Sequence, residues 1–302
     1  MGHLFRQLNF SSFLAKKSEE FIFFVNNDEA ATGLFRKSGI PFEIVALDDD
    51  KSGWQMDLIS KHHVDVWLDD RLDTSESHAV AVKSSGVRRV VFDDRGPGSS
   101  LADLNFAGLS FEPDTRLKGG KVYAGLDYLI LNPEIDKYKR TRHSANKILV
   151  TLGGSDTYGA TVKAVELLRV AGLTATVITG PAFKHFRALA DVARDEFEIK
   201  PPVDSLIAEF RNYDLAVTGG GITPFEANAS GLPCVIIANE LFEVANAKYL
   251  EQKGCSVFAG YHESLDPHVF KRLLDIPAMS RAGLSAISTK GSENIYETII
   301  NV

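Results

Sequence analysis

The chain is poor in cysteine, in positive charge and in long apolar runs, and each shortage argues against a class of protein. Its 302 residues include two cysteines, Cys234 and Cys255. Such a pair builds neither a disulfide framework nor a Cys-x-x-Cys metal site. Both lie in segments that read as buried strands, where a thiol behaves as a small apolar side chain in a reducing compartment. Acidic residues outnumber basic ones, 40 to 33, and the net charge is −7. That balance argues against a nucleic-acid partner bound through phosphate neutralisation. No run reaches the roughly 18 apolar residues of a membrane span, and no basic-then-apolar leader opens the chain. The expectation is a cytoplasmic protein without integral membrane association, its oligomeric state not legible. An anionic ligand would need local devices, because overall charge does not steer it in.

What is present is globular. Hydrophobic residues make up 44% and charged residues 24%, enough apolar surface for sizeable cores. The length suits two domains of about 150 residues each. Short β-branched runs recur at Phe21–Val25, Phe42–Val45, Val64–Leu68, Arg89–Phe92, Lys147–Thr151, Thr174–Ile178, Leu215–Val217, Cys234–Ile237 and Ser256–Ala259. Helical patterns lie between them, among others at Gly159–Ala171, Ala182–Arg194 and Val244–Gln252. Alternation of this kind predicts an α/β protein with parallel sheets and helices on both faces. The polar stretch Asp136–Asn146 has no apolar periodicity and reads as a linker. It divides the chain into Rossmann-like domains at 1–140 and 146–302, the C-terminal helix counted with the second.

Three predicted strands end in chemistry: at Asp69-Asp70-Arg71, at Asp93-Asp94-Arg95-Gly96 and at Gly153-Gly154-Ser155-Asp156. Carboxyl ends of parallel strands point at the ligand crevice. The acids there can equally cap the next helix or serve a turn. The strongest segment is Val217–Asn246, VTGGGITPFEANASGLPCVIIANELFEVAN. A strand runs into Gly219-Gly220-Gly221, and a helix opens at Ile222. Glycines let the backbone approach a ligand closely, and a helix start offers unpaired N–H groups. Thr223 adds a hydroxyl. Glu226, one turn on from Ile222, suits the two hydroxyls of a ribose, as acids do in dinucleotide sites.

The pattern Gly220-Gly221-x-Thr223-x-x-Glu226-Ala227, with Gly231-Leu232-Pro233, Asn246-Ala247 and Gly254, resembles the nucleotide half of MurG-like GT-B proteins. More narrowly, the chain resembles the UDP-sugar hydrolase of pseudaminic acid biosynthesis and its spore-coat polysaccharide relatives. The matching pieces run from Gly2-His3-Leu4-Phe5-Arg6 through Phe92–Gly96, Gly125-x-x-Tyr128, Leu131-x-Pro133-Glu134 and Val150–Asp156 to Lys290-Gly291. The resemblance implies a GT-B fold, two Rossmann-like domains with parallel sheets facing a central cleft, with UDP held mainly by the second. Gly153, Gly154, Gly220, Gly221, Ile222 and Thr223 would cradle the diphosphate, Glu226 the ribose, and backbone near Val203 the uracil, with Ser155 also among the substrate-binding residues. No metal or other cofactor is implied. Water would attack the anomeric carbon and release UDP from a UDP-2,4-diacetamido-2,4,6-trideoxyhexose, with inversion. His3 would orient or deprotonate that water, since imidazole is largely a free base at neutral pH. Asp94 is a candidate partner for that imidazole or for sugar hydroxyls. Gly2, Arg6, Asp93, Tyr128 and Asn246 complete the expected substrate-binding set. A UDP-sugar glycosyltransferase and an inactive nucleotide-sugar binder remain alternatives.

Two departures stand out. Family members carry a strand of about ten residues before the glycine-histidine pair, whereas this chain begins at Met1-Gly2-His3. An internal start, a shortened member and a Met-Gly-His scar all fit that beginning. Glu243 stands where relatives place glutamine, and a carboxylate facing a pyrophosphate repels it. Either Glu243 points away or the sugar offers it donors. Elsewhere, Tyr128 reads equally as core or as a stacking platform, His62-His63 as a solvated strand entry, His143 and Arg140 as surface charges, and His185 as a weak phosphate candidate. Gly96-Pro97-Gly98 lacks the spacing and lysine of a phosphate-binding P-loop.

Overall fold

The computed structural model describes residues 2–49 and 52–302. It divides into two compact units, Met1–Ile130 with Lys290–Val302, and Leu131–Thr289. The first unit runs α1 (Gly2–Lys16), β1 (Phe23–Val25), α2 (Glu29–Ser38), β2 (Phe42–Ile44), α3 (Trp54–His62), β3 (Val66–Asp69), α4 (Glu76–Ser84), β4 (Arg88–Phe92), β5 (Leu104–Ala107) and β6 (Lys121–Ala124). β1 and β2 pair in parallel, and β3-β4-β5-β6 form a second, wholly parallel sheet. Side-chain caps set two of the helix starts: Asp28 accepts from the Ala31 amide and Ser75 from the His78 amide. Gly2–Arg6, expected in a loop that follows a strand, instead form the first turns of α1. The run that follows carries Phe10 into the core at helical spacing, edge-on to Phe92.

The second unit runs β7 (Ile148–Thr151), α5 (Ala160–Val170), β8 (Thr176–Ile178), α6 (Phe186–Ala193), β9 (Glu198–Lys200), α7 (Leu206–Glu209), β10 (Leu215–Gly219), α8 (Thr223–Ala229), β11 (Cys234–Ala238), α9 (Leu241–Gln252), β12 (Ser256–Tyr261), β13 (Ser264–Leu265) and α10 (Ile276–Ala286). Its sheet has the order β13-β12-β11-β10-β7-β8-β9, parallel except at β13. The chain winds one way from β7 to β9 and the other way from β10 to β12. The strand order therefore reverses between β7 and β10, whose register pairs Leu215 with Ile148 and Thr218 with Thr151. Every residue of β7, β10 and β11 is buried, as a sheet covered on both faces requires. Burial pushes the Cys234 thiol up, and the Cys255 thiol to about 12; both cysteines are free.

A last helix, α11 (Gly291–Asn301), returns to the first unit. Gly291 lies so close to Leu129 that a β-carbon would overlap the Leu129 carbonyl. Ile295 and Ile299 then join Phe10 over Val90, Phe92, Leu104 and Phe106. Periodicity missed β5, β6, β9 and β13. β5 carries Asn105 at its centre, and β6 and β9 are exposed edge strands in which lysine and glutamate interrupt the apolar pattern.

The polar stretch read as a linker packs into the second unit through Arg142, which is fully buried. Its guanidinium donates to the carbonyls of Ser230, Phe210 (2.8 Å), Arg140 (2.9 Å) and Tyr213 (3.4 Å). Three of those carbonyls cap the ends of helical segments, where the backbone dipole is negative and a cation is stabilised. No periodicity rule detects a single buried cation of this kind. Replacing Arg142 with methionine keeps the volume but leaves several buried carbonyls unpaired. A loss of about 3 kcal/mol in unfolding free energy is expected, measured by urea denaturation, and an unchanged midpoint would contradict this account.

Candidate functional site

In the second unit, both glycine-rich turns follow the two strands at which the sheet order reverses. Ligands of open α/β sheets bind beyond the carboxyl ends of the strands at such a switch point. After β7, Gly153 takes a φ of 91°, which favours glycine. Gly180, after β8, presses against the carbonyls of Gly153 and Gly154 so closely that a side chain there would collide with both. Ser155 is exposed, with its hydroxyl 3.4 Å from that of Thr157. Asp156, buried at a φ of 43°, accepts from the Ala160 and Thr161 amides at 2.7 and 2.8 Å. The start of α5 is thus already filled by its own acid. His185 turns to the Thr157 carbonyl at 3.3 Å.

After β10, Gly219, Gly220 and Gly221 bring the chain to α8, which Ile222, Thr223 and Pro224 open. A β-carbon on Gly220 would meet the Glu243 β-carbon at 2.6 Å, so α9 lies directly against this turn. Asn246, expected to face the ligand, is buried, and its amide donates to the Gly220 carbonyl at 2.8 Å. It braces the turn. Glu243 also turns back on the turn: its Oε2 accepts from the amides of Asn239 (2.7 Å), Gly220 (3.2 Å) and Glu240 (3.4 Å). Glu226 is half-buried one turn into α8. Burial pushes its pKa up to about 7, although the Asn132 amide donates to it. Val203 is half-buried in the loop after β9.

The first unit gathers a separate cluster at the carboxyl ends of β3 and β4. Asp70 accepts from Arg6 and from Gln7 (2.8 Å), and its Oδ1 lies 2.6 Å from His3 Nδ1. Arg6 also reaches Asp93, which sits at a φ of 53°. Burial works against charge on Asp70, yet His3 and Arg6 outweigh it and hold its pKa below the usual carboxylate value. For Arg6, the two acids outweigh burial and raise its pKa. The His3 side chain stays 45% exposed and that of Asp70 only 10%, so the imidazole meets solvent while its partner is fixed. Gly2 lies exposed at the start of α1.

The pairing of His3 with Asp94 is corrected. Asp94 is fully buried and accepts from the Gly96 amide (2.9 Å) and from the amide (3.1 Å) and hydroxyl of Thr74. It belongs to an interior network around Arg89, which is also fully buried. Arg89 donates to Asp69 (2.8 Å), Gly98 O (2.7 Å) and Thr74 Oγ1 (2.9 Å), and Asp69 further meets Trp67 and His78 at 2.9 Å each. The signal for Asp70 was present: consecutive residues at a strand end face opposite ways, so one of two adjacent acids turns inward and the other outward. Tyr128 packs its half-buried ring against Tyr123 and Phe106 at 5.1 and 5.4 Å between centroids, at the border of the core. His62 ends α3 and binds Glu43 at 2.8 Å.

No family model matches the chain. It is 27% identical over 277 residues to the uncharacterized protein MJ1062 of Methanocaldococcus jannaschii, covering 83% of this chain and 56% of that one. It is 24% identical over 223 residues to the spore coat polysaccharide biosynthesis protein SpsG of Bacillus subtilis, covering 68% of this chain and 65% of that one. The chain thus spans somewhat over half the length of these relatives. Among solved structures, Acinetobacter baumannii MurG superposes with a TM-score of 0.71 at 14% identity, covering 100% of this chain and 96% of that one. Anabaena HepE in complex with UDP superposes with a TM-score of 0.69 at 12% identity, covering 100% and 97%. The chain has the GT-B fold of glycosyltransferases. Among the described residues, no helix is long and apolar enough to cross a membrane.

The raised pKa of Glu226 makes a testable mark on stability. An acid whose pKa rises on folding loses stability as pH climbs from the unfolded value toward the folded one, here about 7. Glu226→Gln removes that loss. Between pH 5 and pH 8 the variant should gain about 2 kcal/mol relative to wild type, read from urea melts at each pH. Parallel stability curves would count against the assignment.

Proposed function

We propose that the chain binds a UDP-sugar through its second unit and releases UDP by transfer of the sugar to water. The observation that carries this reading is the placement of two glycine-rich turns, Gly153-Gly154 and Gly219–Gly221, at the β7/β10 reversal. Backbone N–H groups there suit phosphate oxygens, and Glu226, in the first turn of the helix that follows, suits ribose hydroxyls. UDP accompanies the similarly folded HepE, and the SpsG relative belongs by name to polysaccharide biosynthesis. The sugar proposed is a diacetamido-trideoxyhexose, on the sequence resemblance to the pseudaminic acid hydrolase.

On the sequence resemblance to the hydrolase, each unit carries its own part of the chemistry. In the second, the Gly153-Gly154 turn, Gly220–Thr223 and Glu226 hold the nucleotide, with the Val203 backbone against the base. In the first, His3 is the base, and Asp70 rather than Asp94 is its positioning residue. The bond between the anomeric carbon and the β-phosphate oxygen breaks, and its electron pair leaves with UDP. The water oxygen bonds to that carbon from the opposite face, and its proton passes to His3. With Asp70 accepting at Nδ1, the imidazole presents Nε2 to the water. Holding this tautomer fixes the direction of proton transfer without asking Asp70 to take the proton.

Calorimetry with UDP, paired with acceptor-free UDP release from UDP-diacetamido-trideoxyhexoses, tests the reading. Binding is expected, with release that falls by about 10²-fold or more in His3→Ala. In Asp70→Asn the release rate should fall with little change in KM, since a positioning residue acts on the base and not on ground-state binding. Release that waits for a sugar or lipid acceptor would assign the chain to transfer. An absence of UDP binding would overturn the proposal.

A further inference from the structure

Glu243 deepens the UDP reading, on which this inference rests. The turn after β10 places backbone amides at a strand end, with Glu243 of α9 packed directly on Gly220. One carboxylate already occupies it. Glu243 Oε2 takes the amides of Gly220, Asn239 and Glu240 at 3.2, 2.7 and 3.4 Å. Its Oε1 lies 3.5 Å from where a β-carbon on Gly221 would stand, out over the same turn. Among the described residues, no lysine, arginine or histidine pairs with this carboxylate. Its charge is held by backbone dipoles alone, the means by which a phosphate oxygen is held.

We infer that Glu243 is an internal anion seated where a phosphate of the ligand would bind, and that a nucleoside diphosphate must displace it. Two anions cannot share one set of three amide donors in a partly buried turn, and their repulsion at a few ångströms is not small away from bulk water. The carboxylate stabilises the turn and closes the start of α9 as a capping box with Glu240. Affinity for UDP is therefore set below what the same backbone would give without the charge. A ligand lacking phosphate does not compete. Glu243 in this way governs how tightly the leaving group is retained, and hence how readily UDP departs.

Calorimetry with UDP and with uridine, on wild type and on Glu243→Gln, tests the inference. Glutamine keeps an oxygen acceptor for the turn and removes the charge. UDP should bind Glu243→Gln about tenfold or more tightly, while uridine affinity changes by less than about twofold. In the wild-type protein, the amide resonances of Gly220 and Asn239 should shift on addition of UDP and stay in place on addition of uridine. UDP affinity that is equal or weaker in the variant, or unshifted amides under saturating UDP, would overturn the inference and leave the UDP reading standing. Failure of both proteins to bind UDP would overturn the two together.

Discussion

The pairing of β7 with β10 is the constraint on which the second unit depends. These parallel strands lie side by side at the centre of the sheet, yet the chain leaves them in opposite directions. Their connections therefore cannot cover one another; Gly153 and Gly154 beyond β7 are exposed, whereas Gly219 and Gly220 at the end of β10 are buried, Gly220 against α9. Glycine follows each strand for a different reason: Gly153 takes a φ of 91° with nothing close by, whereas Gly220 has a neighbour in contact. At Gly220 the close neighbour is Glu243, and at Gly180 it is the first glycine turn itself. Packing that forbids a side chain at Gly220 also brings its amide to the Glu243 carboxylate, so the tight turn and the bracing of α9 arise from the same geometry.

Each unit organises its interior around one buried arginine, in two different ways. Arg89 is compensated by carboxylates and a hydroxyl, with Asp69 in contact and Asp94 near at 3.6 Å. Among the described residues, the Arg142 guanidinium donates to carbonyls, three of them at the ends of helical segments. Desolvating a cation is costly in either case. In the first unit the cost is met by opposite charge, and this withdraws Asp69 and Asp94 from chemistry. In the second it is met by converging backbone dipoles, and this fixes a stretch that composition alone describes as a linker.

Much of the second unit's candidate site was legible because it is local. The glycine turns, the helix that opens after Gly221 and the one-turn spacing to Glu226 all follow from residues adjacent in sequence. The first unit was less legible. Its β5 and β6 lack clean apolar alternation, and its acids come in adjacent pairs whose members face opposite ways. Side-chain allegiance was hardest of all: Asn246 serves the Gly220 carbonyl, Tyr128 packs at the border of the core, and Glu243 folds back onto backbone amides. Each of these is settled by a contact between residues far apart in the chain or by a rotamer, neither of which a motif records.

The sequence by itself determined the alternation of strands and helices, the two glycine-rich turns and the residue types available to them, because these rest on short-range sterics and on periodic burial. Only the tertiary structure decided that the order of strands reverses between those two turns, that α11 returns to the first unit, and that His3 meets Asp70 while Asp94 is committed to Thr74 and Gly96. Such choices depend on long-range packing and on which of several nearby partners can compensate a buried charge, and a linear spacing carries no record of either.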